Sequence, residues 1–359
     1  MRKDWVDVAK GIAIIAIVIW HTKYNYPDIS WLPIKVLMAG IWPVPVFFMI
    51  AGFFLTNDKL TNTKKFIVKK VKTLYWPTVW LYIIATFLHN WFIRINFYDI
   101  TMDYDGFVTA YTITDFIKWF IADFFLAGKE LILAPMWFVC VLFVALCMMS
   151  VETTVINRFT KTKRQFRISQ LLIFLVPALV YTVISNVYQI EIPRYQQTFS
   201  AIWLIFVGML MNQYKKLTYS NTYLFLICLM IIYIFSVLCE NIKEDIISYT
   251  ICTTAACYAL CYISKCISHH CRYLNILLAF VGRDSFYIMA LHFIGFKVCT
   301  LILNLLGQQQ DLAMLIAPTN DNLLLYICYV FCGTFIPLLA IYLFRNIKKL
   351  LTQKTNAGA

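Results

Sequence analysis

The sequence predicts an all-α fold, a polytopic transmembrane helical bundle of about ten spans. Hydrophobic residues make up 61% of the 359 residues, whereas charged residues make up only 14%. Soluble domains carry about a quarter charged residues, so this composition cannot be hidden in one aqueous core. Apolar segments long enough to cross a bilayer recur along the chain, with basic residues gathered between them. We therefore expect one integral-membrane domain, residues 1–359, with no appended soluble domain.

The individual spans follow from segment length, because a membrane helix needs about 20 mostly apolar residues. We expect them near residues 5–24, 34–55, 73–93, 133–151, 169–189, 198–213, 222–239, 246–264, 284–305 and 323–344. The first span is expected to stay uncleaved, since no small-residue cleavage site follows its apolar run. Within residues 96–132, "TDFIKWFIADFF" predicts an amphipathic helix that lies at the membrane surface or folds back over a central cavity.

The distribution of charge predicts the orientation of these spans. The lysine-rich loop "NDKLTNTKKFIVKKVK" and the basic loop "NRFTKTKRQFR" both follow even-numbered spans, on the side of the N-terminus. The positive-inside rule then places both termini in the cytoplasm. This asymmetry and anionic lipid at the inner leaflet account for the net charge of +13, so no nucleic-acid partner is expected. The twelve cysteines lack metal-ligand spacing, and no metal is predicted.

The first span carries ionisable residues on one face. Asp7, Lys10 and His21 fall on a single helical stripe, and Lys10 and His21 are about 16 Å apart along it. Ionisable groups inside spans are costly and mark candidate functional sites. The alternative is a lysine that snorkels to the inner boundary and a histidine that is satisfied at the interface. Their position on one stripe favours a functional role for the pair.

The late segment "VGRDSFYIMALHF" carries a second set of polar residues. Arg283 lies at the inner end of a span, and Ser285 and His292 share one helical face two turns apart. A neutral imidazole near mid-membrane needs a hydrogen-bond partner. His292 is therefore either functional or a helix-packing contact to a neighbouring span.

Two features of the second and third spans point to a cavity. Pro43 and Pro45, with Gly52, interrupt the second span, and broken helices at membrane depth usually line a cavity. The lysine run ahead of the third span includes Lys69 and Lys72, which share one helical face. A lysine run beside a span is usually a topology determinant, but it can also bind the phosphates of a coenzyme.

Four segments of the chain form a pattern when taken together: "DWVDVAKGIAIIAIVIWH", "PVFFMIAGFFL", "KKFIVKKVKTLYWP" and "VGRDSFYIMALHF". They resemble the membrane-bound acyltransferase-3 family, whose members O-acetylate bacterial surface glycans and related molecules. In this resemblance, which covers most of the chain, His21 matches the family's proposed catalytic histidine. Lys10 stands where arginine is usual, and Lys69 and Lys72 stand where the family has an arginine pair. These lysines keep the charge but lose the bidentate geometry of arginine.

The resemblance implies an O-acyltransferase of the bacterial cytoplasmic membrane. It would move an acyl group from a cytoplasmic acyl-CoA, most simply acetyl from acetyl-CoA, to a hydroxyl of a saccharide or cell-envelope glycan. His21 would be the base. The expected donor-binding residues are Lys10, Lys69, Lys72 and Arg283, and the expected supporting residues are Asp7, Ser285 and His292. The expected partners are acyl-CoA, a glycan or lipid-linked saccharide acceptor, and membrane lipid.

Two other classes of function fit the same residues. A transporter or flippase of a glycan or small anionic metabolite also combines many spans, a broken helix and paired intramembrane polar groups. A non-catalytic membrane sensor or scaffold is the third class, and it requires a partner on another chain. Acyl transfer by the purified protein separates the enzyme from both alternatives.

Overall fold

Long apolar runs fold as helices because a helix satisfies its own backbone N–H and C=O groups where water is absent. The computed structural model describes residues 4–23, 42–98, 109–188, 193–214, 220–238, 246–312, 314–315 and 322–357, and these contain no strand. The helices are α1 (Asp4–Lys23), α2 (Pro43–Phe53), α3 (Asn57–Thr61), α4 (Thr63–Lys70), α5 (Trp76–Arg94), α6 (Ile113–Phe124), α7 (Trp137–Phe159), α8 (Lys163–Tyr188), α9 (Pro193–Gln213), α10 (Thr222–Leu238), α11 (Ile246–His270), α12 (Arg272–Arg283), α13 (Ser285–Leu305) and α14 (Leu323–Ala357). A π-helical turn, Val71–Tyr75, joins α4 to α5, and a 3₁₀ turn, Leu131–Met136, precedes α7.

Counted over the residues that the structure describes, six helices are long and apolar enough to cross a membrane. These stretches are Asp4–Thr22, Leu131–Phe159, Lys163–Ile184, Ile246–His270, Ser285–Leu305 and Leu323–Ile347. Two shorter apolar helices, Pro43–Phe53 and Thr222–Phe235, accompany them. The predicted all-α, multi-pass membrane fold is therefore confirmed. The count of ten spans, the cytoplasmic placement of both termini and the single-domain organisation stay predictions.

The described part of the second expected span is α2. Residues 34–41 of that span lie outside the described residues, and α2 begins at Pro43. A proline in the first turn of a helix costs no hydrogen bond, because that N–H has no intrahelical acceptor. Pro43 therefore acts as a helix start, and α2 continues without a break to Phe53.

Helix α1 packs closely against α12 because both helices have a glycine at their crossing. A Cβ atom on Gly282 would lie 1.8 Å from the carbonyl oxygen of Asp7, and one on Gly11 would lie 2.2 Å from that of Leu278. Small residues at such crossings let two membrane helices approach to backbone contact. This contact holds the first half of α1, with Asp7 and Lys10, in a fixed position.

A second close crossing joins α2 to α9. A Cβ atom on Gly52 would lie 1.9 Å from the carbonyl oxygen of Ile205, and one on Gly208 would lie 2.1 Å from that of Met49. Each glycine thus accommodates the backbone of the other helix. Helix α2 is consequently a rigid wall of the cavities described below.

The amphipathic helix expected within residues 96–132 is α6. Its N-terminus has a capping box in which the Thr112 hydroxyl and the Asp115 carboxylate accept from each other's backbone N–H groups. Ile117, Ile121 and Phe125 are 57%, 53% and 78% exposed, as expected for a helix whose apolar face meets lipid. Helix α6 packs on α5 and supplies none of the side chains that line the two cavities.

Candidate functional site

A cavity of about 650 Å³ lies beside the first half of α1, and several lysine side chains line it. We call it the lysine cavity; its basic lining residues are Lys10, Lys59, Lys65, Lys69 and Lys70. Asp58 is the one carboxylate among the described residues that line it. Its apolar part is formed mainly by α2 and α7, including Phe47, Ala51 and Phe138. The cavity lining therefore combines cationic and apolar side chains.

The lysines of this cavity are close enough to repel one another. Burial, and then the neighbouring ammonium groups of Lys69, Lys59 and Lys10, lower the pKa of Lys70. A bound anion would relieve this repulsion and favour the charged form of each lysine. The lysine cavity is therefore suited to bind a group with several negative charges.

A second cavity, of about 250 Å³, lies beside the other half of α1. We call it the histidine cavity, because His21 at the end of α1 lines it. Its other lining residues include three aromatic side chains and two uncharged polar ones, which are Trp20, Trp137, Tyr249, Gln197 and Ser200. Aromatic faces with a few polar groups are typical of pockets that bind small polar molecules.

Two of the side chains that the structure describes lie between the cavities. Phe138 and Met289 line both, so they form the wall between them. The ring of Phe138 packs on Phe48 and Phe47 of α2, with ring centroids 4.8 and 5.8 Å apart. We call Phe138 and Met289 the partition.

The imidazole of His21 contacts the imidazole of His292. Nδ1 of His21 lies 2.9 Å from the carbonyl oxygen of Ile17 and 3.3 Å from Nε2 of His292. His292 is completely buried, and its Nδ1 lies 2.9 Å and 3.0 Å from the carbonyl oxygens of Ile288 and Met289. The contact joins α1 to α13 immediately beside the partition.

The structure brings several of the predicted residues together. Lys10, Lys69 and Ser285 line the lysine cavity, and His21 lines the histidine cavity. Asp7 is buried at the crossing of α1 with α12. It lies on the same helical face as Lys10, which lines the lysine cavity. The stripe along α1 thus connects the two cavities.

Lys72 and Arg283 do not line the lysine cavity. Arg283 is exposed, and its Nε donates to the carbonyl oxygen of Ala279, 3.1 Å away in its own helix. At the same corner, the carboxylate of Asp284 pairs with the guanidinium of Arg345 at 2.6 and 3.0 Å. Donor binding by Lys72 and Arg283 stays a prediction that this geometry does not favour.

The π-helical turn accounts for the position of Lys72. A π-helix bonds residue i to i+5 and so has more residues per turn than an α-helix. The turn begins at Val71, directly after Lys70. Lys72 is the second residue of this turn, so it does not keep the facing toward Lys69 that i, i+3 spacing gives in an α-helix. Lys69 and Lys70 line the cavity, whereas Lys72 is exposed outside it.

Lys297 was not predicted as a site residue from the sequence, and it is completely buried within α13. Its Nζ donates to the carbonyl oxygens of Phe97 and Leu312, the latter at 2.5 Å. These bonds tie the connections after α5 and α13 to the bundle. A charged residue inside a span was the available signal, but its carbonyl partners lie far away along the chain.

A buried cluster outside both cavities surrounds Glu130. Nδ1 of His89 lies 3.2 Å from the carboxylate of Glu130, and the hydroxyl of Tyr98 donates to the same carboxylate at 2.9 Å. Nε2 of His89 is 3.0 Å from the carbonyl oxygen of Thr109, and the ring of Tyr111 stacks on His89 at 3.5 Å. The cluster fastens the connection between α5 and α6 to α5. It touches neither cavity.

Comparison with known proteins gives one match. A family model described as an acyltransferase domain, Acyl_transf_3, matches residues 3–342. No curated protein and no solved structure matches the chain.

Proposed function

The chain belongs to the acyltransferase-3 family, and from this membership and the two adjoining cavities we propose that it is a membrane O-acyltransferase using an acyl-CoA donor. The acyl group is acetyl in the simplest case, and the acceptor is a hydroxyl of a saccharide or cell-envelope glycan. The observation that carries the proposal is the partition, beside His21, between a cationic cavity and an aromatic one.

The donor binds in the lysine cavity. Its phosphates meet the ammonium groups of Lys10, Lys69 and Lys70, which lie close together along this cavity. The apolar interior takes the pantetheine arm, and the thioester reaches the partition. A volume of about 650 Å³ lies within the range of cofactor sites. This arrangement requires the lysine cavity to face the cytoplasm, as the positive-inside rule predicts.

The acceptor binds in the histidine cavity. The rings of Trp20, Trp137 and Tyr249 offer apolar faces to the C–H groups of a sugar ring, and Gln197 and Ser200 can bond its hydroxyls. A volume of about 250 Å³ accommodates one sugar unit at a time. The acceptor therefore presents a single residue of a larger glycan, or a small saccharide.

The reaction is a general-base acyl transfer. His21 takes the proton of the acceptor hydroxyl while its oxygen attacks the thioester carbonyl carbon. The new C–O bond forms, the C–S bond breaks, and the imidazolium of His21 returns the proton to the thiolate of the departing coenzyme A. Acyl-CoA and an alcohol thus become an ester and free coenzyme A, and no other reactant is needed.

The test measures transfer and donor binding separately in purified protein in lipid nanodiscs. His21→Ala should lower acyl transfer by a factor of about 10² or more, since a general base contributes that much, and should leave acyl-CoA affinity unchanged. His270→Ala, which removes an exposed imidazole at the end of α11, is the matched control. Full transfer by His21→Ala contradicts the mechanism.

A transporter is the second candidate, because two cavities on opposite halves of one helix also suit alternating access. Protein reconstituted in liposomes separates the two. Passage of a glycan or anionic metabolite without acyl transfer favours the transporter, and transfer that depends on His21 favours the enzyme.

A further inference from the structure

The hydrogen bonds around His292 fix the positions of two protons. Its Nδ1 lies 2.9 and 3.0 Å from two carbonyl oxygens, those of Ile288 and Met289. Carbonyl oxygens only accept hydrogen bonds, so Nδ1 of His292 carries the proton. Likewise Nδ1 of His21 lies 2.9 Å from the carbonyl oxygen of Ile17 and must also carry a proton.

The contact between the two rings then has a single direction. Nδ1 of His21 and Nε2 of His292 are 3.3 Å apart. Since the proton on this line belongs to His21, Nε2 of His292 accepts it with its lone pair, and His292 is neutral. One N–H of His21 is therefore shared between the carbonyl oxygen of Ile17 and the ring of His292.

This arrangement leaves the lone pair of His21 on Nε2. Among the residues that the structure describes, none bonds to that atom, and His21 lines the histidine cavity. His292 lines neither cavity and is 0% exposed, so it cannot reach a substrate. The two histidines thus differ in role even though their rings touch.

We propose that His292 is a positioning residue that holds His21 as its Nδ1–H tautomer, so that Nε2 of His21 is the atom that removes the proton from the acceptor hydroxyl. The catalytic part of this inference rests on the proposed function, whereas the tautomer does not. When Nε2 takes up the proton, the positive charge on His21 strengthens its Nδ1–H bond to His292. His292 stabilises this imidazolium and exchanges no proton with the substrate.

The tautomer can be measured without an acyl-transfer assay. The chain has only five histidines, so ¹⁵N-labelled histidine gives few signals, and comparison with His21→Ala assigns that of His21. In the membrane-reconstituted wild-type protein at neutral pH, we expect His21 with a protonated Nδ1 and an unprotonated Nε2. The opposite tautomer at His21 overturns the inference, whatever the activity.

Kinetics test the role of His292. His292→Leu removes the acceptor and should lower kcat by a factor of about 10 to 100, a part of the contribution of a general base, with little change in the KM for acyl-CoA. His292→Gln places a carbonyl oxygen near the position of Nε2 and should recover much of kcat. If His292 had only a packing role, we would not expect Gln at this position to retain a kcat that Leu loses.

The matched control is Thr300→Val. Thr300 lies in the same helix as His292 but farther from His21, and the substitution removes its buried hydrogen bond to Tyr329 of α14. It should leave kcat near the wild-type value.

A folded His292→Leu protein with wild-type kcat overturns the inference, as does a His292→Gln protein that is as slow as His292→Leu. If His292→Leu does not fold, His292→Gln and the tautomer measurement decide. A wild-type protein that transfers no acyl group to any acceptor instead refutes the proposed function, and the tautomer result still stands by itself.

Discussion

At the scale of single residues, Lys70 is unusual because it is half-buried and surrounded by other ammonium groups. Burial and these neighbours lower its pKa, and an anion in the lysine cavity would favour its charged form. Sequence periodicity favoured Lys72 instead, because an α-helix places it on the face of Lys69. The choice between Lys70 and Lys72 is therefore the sharpest residue-level test of where the donor binds.

Lys70→Gln should raise the Kd for acyl-CoA by about tenfold, since a hydrogen bond to a charged group contributes about 1.5–3 kcal/mol. Lys72→Gln should change it less, because the π-helical turn keeps that side chain out of the cavity. Binding titrations in nanodiscs give both values. Lys64→Gln, an exposed lysine of α4 outside the cavity, is the control for net charge. A larger effect at Lys72 than at Lys70 contradicts the geometry.

Donor affinity should also depend on pH through Lys70. Because its pKa is lowered, Lys70 loses its charge at a lower pH than an ordinary lysine does. Donor affinity should fall over the same pH range. Lys70→Arg should flatten this decline, because arginine stays protonated. The measurement is the Kd for acyl-CoA over an alkaline pH series. An identical pH profile in the wild-type and Lys70→Arg proteins would rule out this role.

At the scale of helices, two glycine crossings position α1, which carries Lys10 and His21, and α2, which lines both cavities. Helix α1 meets α12 at Gly11 and Gly282, and α2 meets α9 at Gly52 and Gly208. In both crossings a backbone carbonyl occupies the space of a side chain. Because backbone cannot move aside as a flexible side chain does, any larger residue must push the helices apart. Lys10 and His21 on α1 would move with them.

Gly282→Ala should therefore destabilise the protein by about 1–3 kcal/mol, the usual cost of overpacking, and lower donor affinity by displacing Lys10. The measurement is thermal unfolding in detergent together with acyl-CoA binding. Ile276→Ala, on an exposed face of the same helix, should alter neither. A Gly282→Ala protein with unchanged Tm and affinity would show that the crossing tolerates a side chain.

At the scale of the whole molecule, one helix links two cavities with different chemistry. Among the described residues, the lysine cavity and the histidine cavity share only Phe138 and Met289. In the proposed reaction the acyl group would pass between the cavities there, so the partition would limit the size of the acyl group that reaches His21. This wall is built by α7 and α13, which are distant in the chain.

Phe138→Leu should widen this passage and raise the relative kcat/KM for butyryl-CoA over acetyl-CoA. The expected change is about 10-fold, because one or two methylene groups in an apolar pocket alter discrimination by about 1–3 kcal/mol. Competition between the two donors in one reaction measures it. Val144→Ala, on an exposed face of α7, is the control. An unchanged donor preference would mean that the acyl chain does not meet Phe138.

Hydropathy and helical period are local properties, and they were enough to predict the all-α membrane fold, the amphipathic helix α6 and the shared face of Lys10 and His21. The same local periodicity favoured Lys72, but Lys72 lies within a π-helical turn and outside the cavity, whereas Lys70, directly before that turn, lines it. Only the tertiary structure joined His21 to His292, which are 271 residues apart. It also placed the buried Lys297 against carbonyl groups from two connections. Such pairings depend on how the helices pack. Because the chain is apolar over nearly its whole length, many different helix packings would bury a similar apolar area. Backbone contacts at a few glycines and hydrogen bonds between distant residues select one of them.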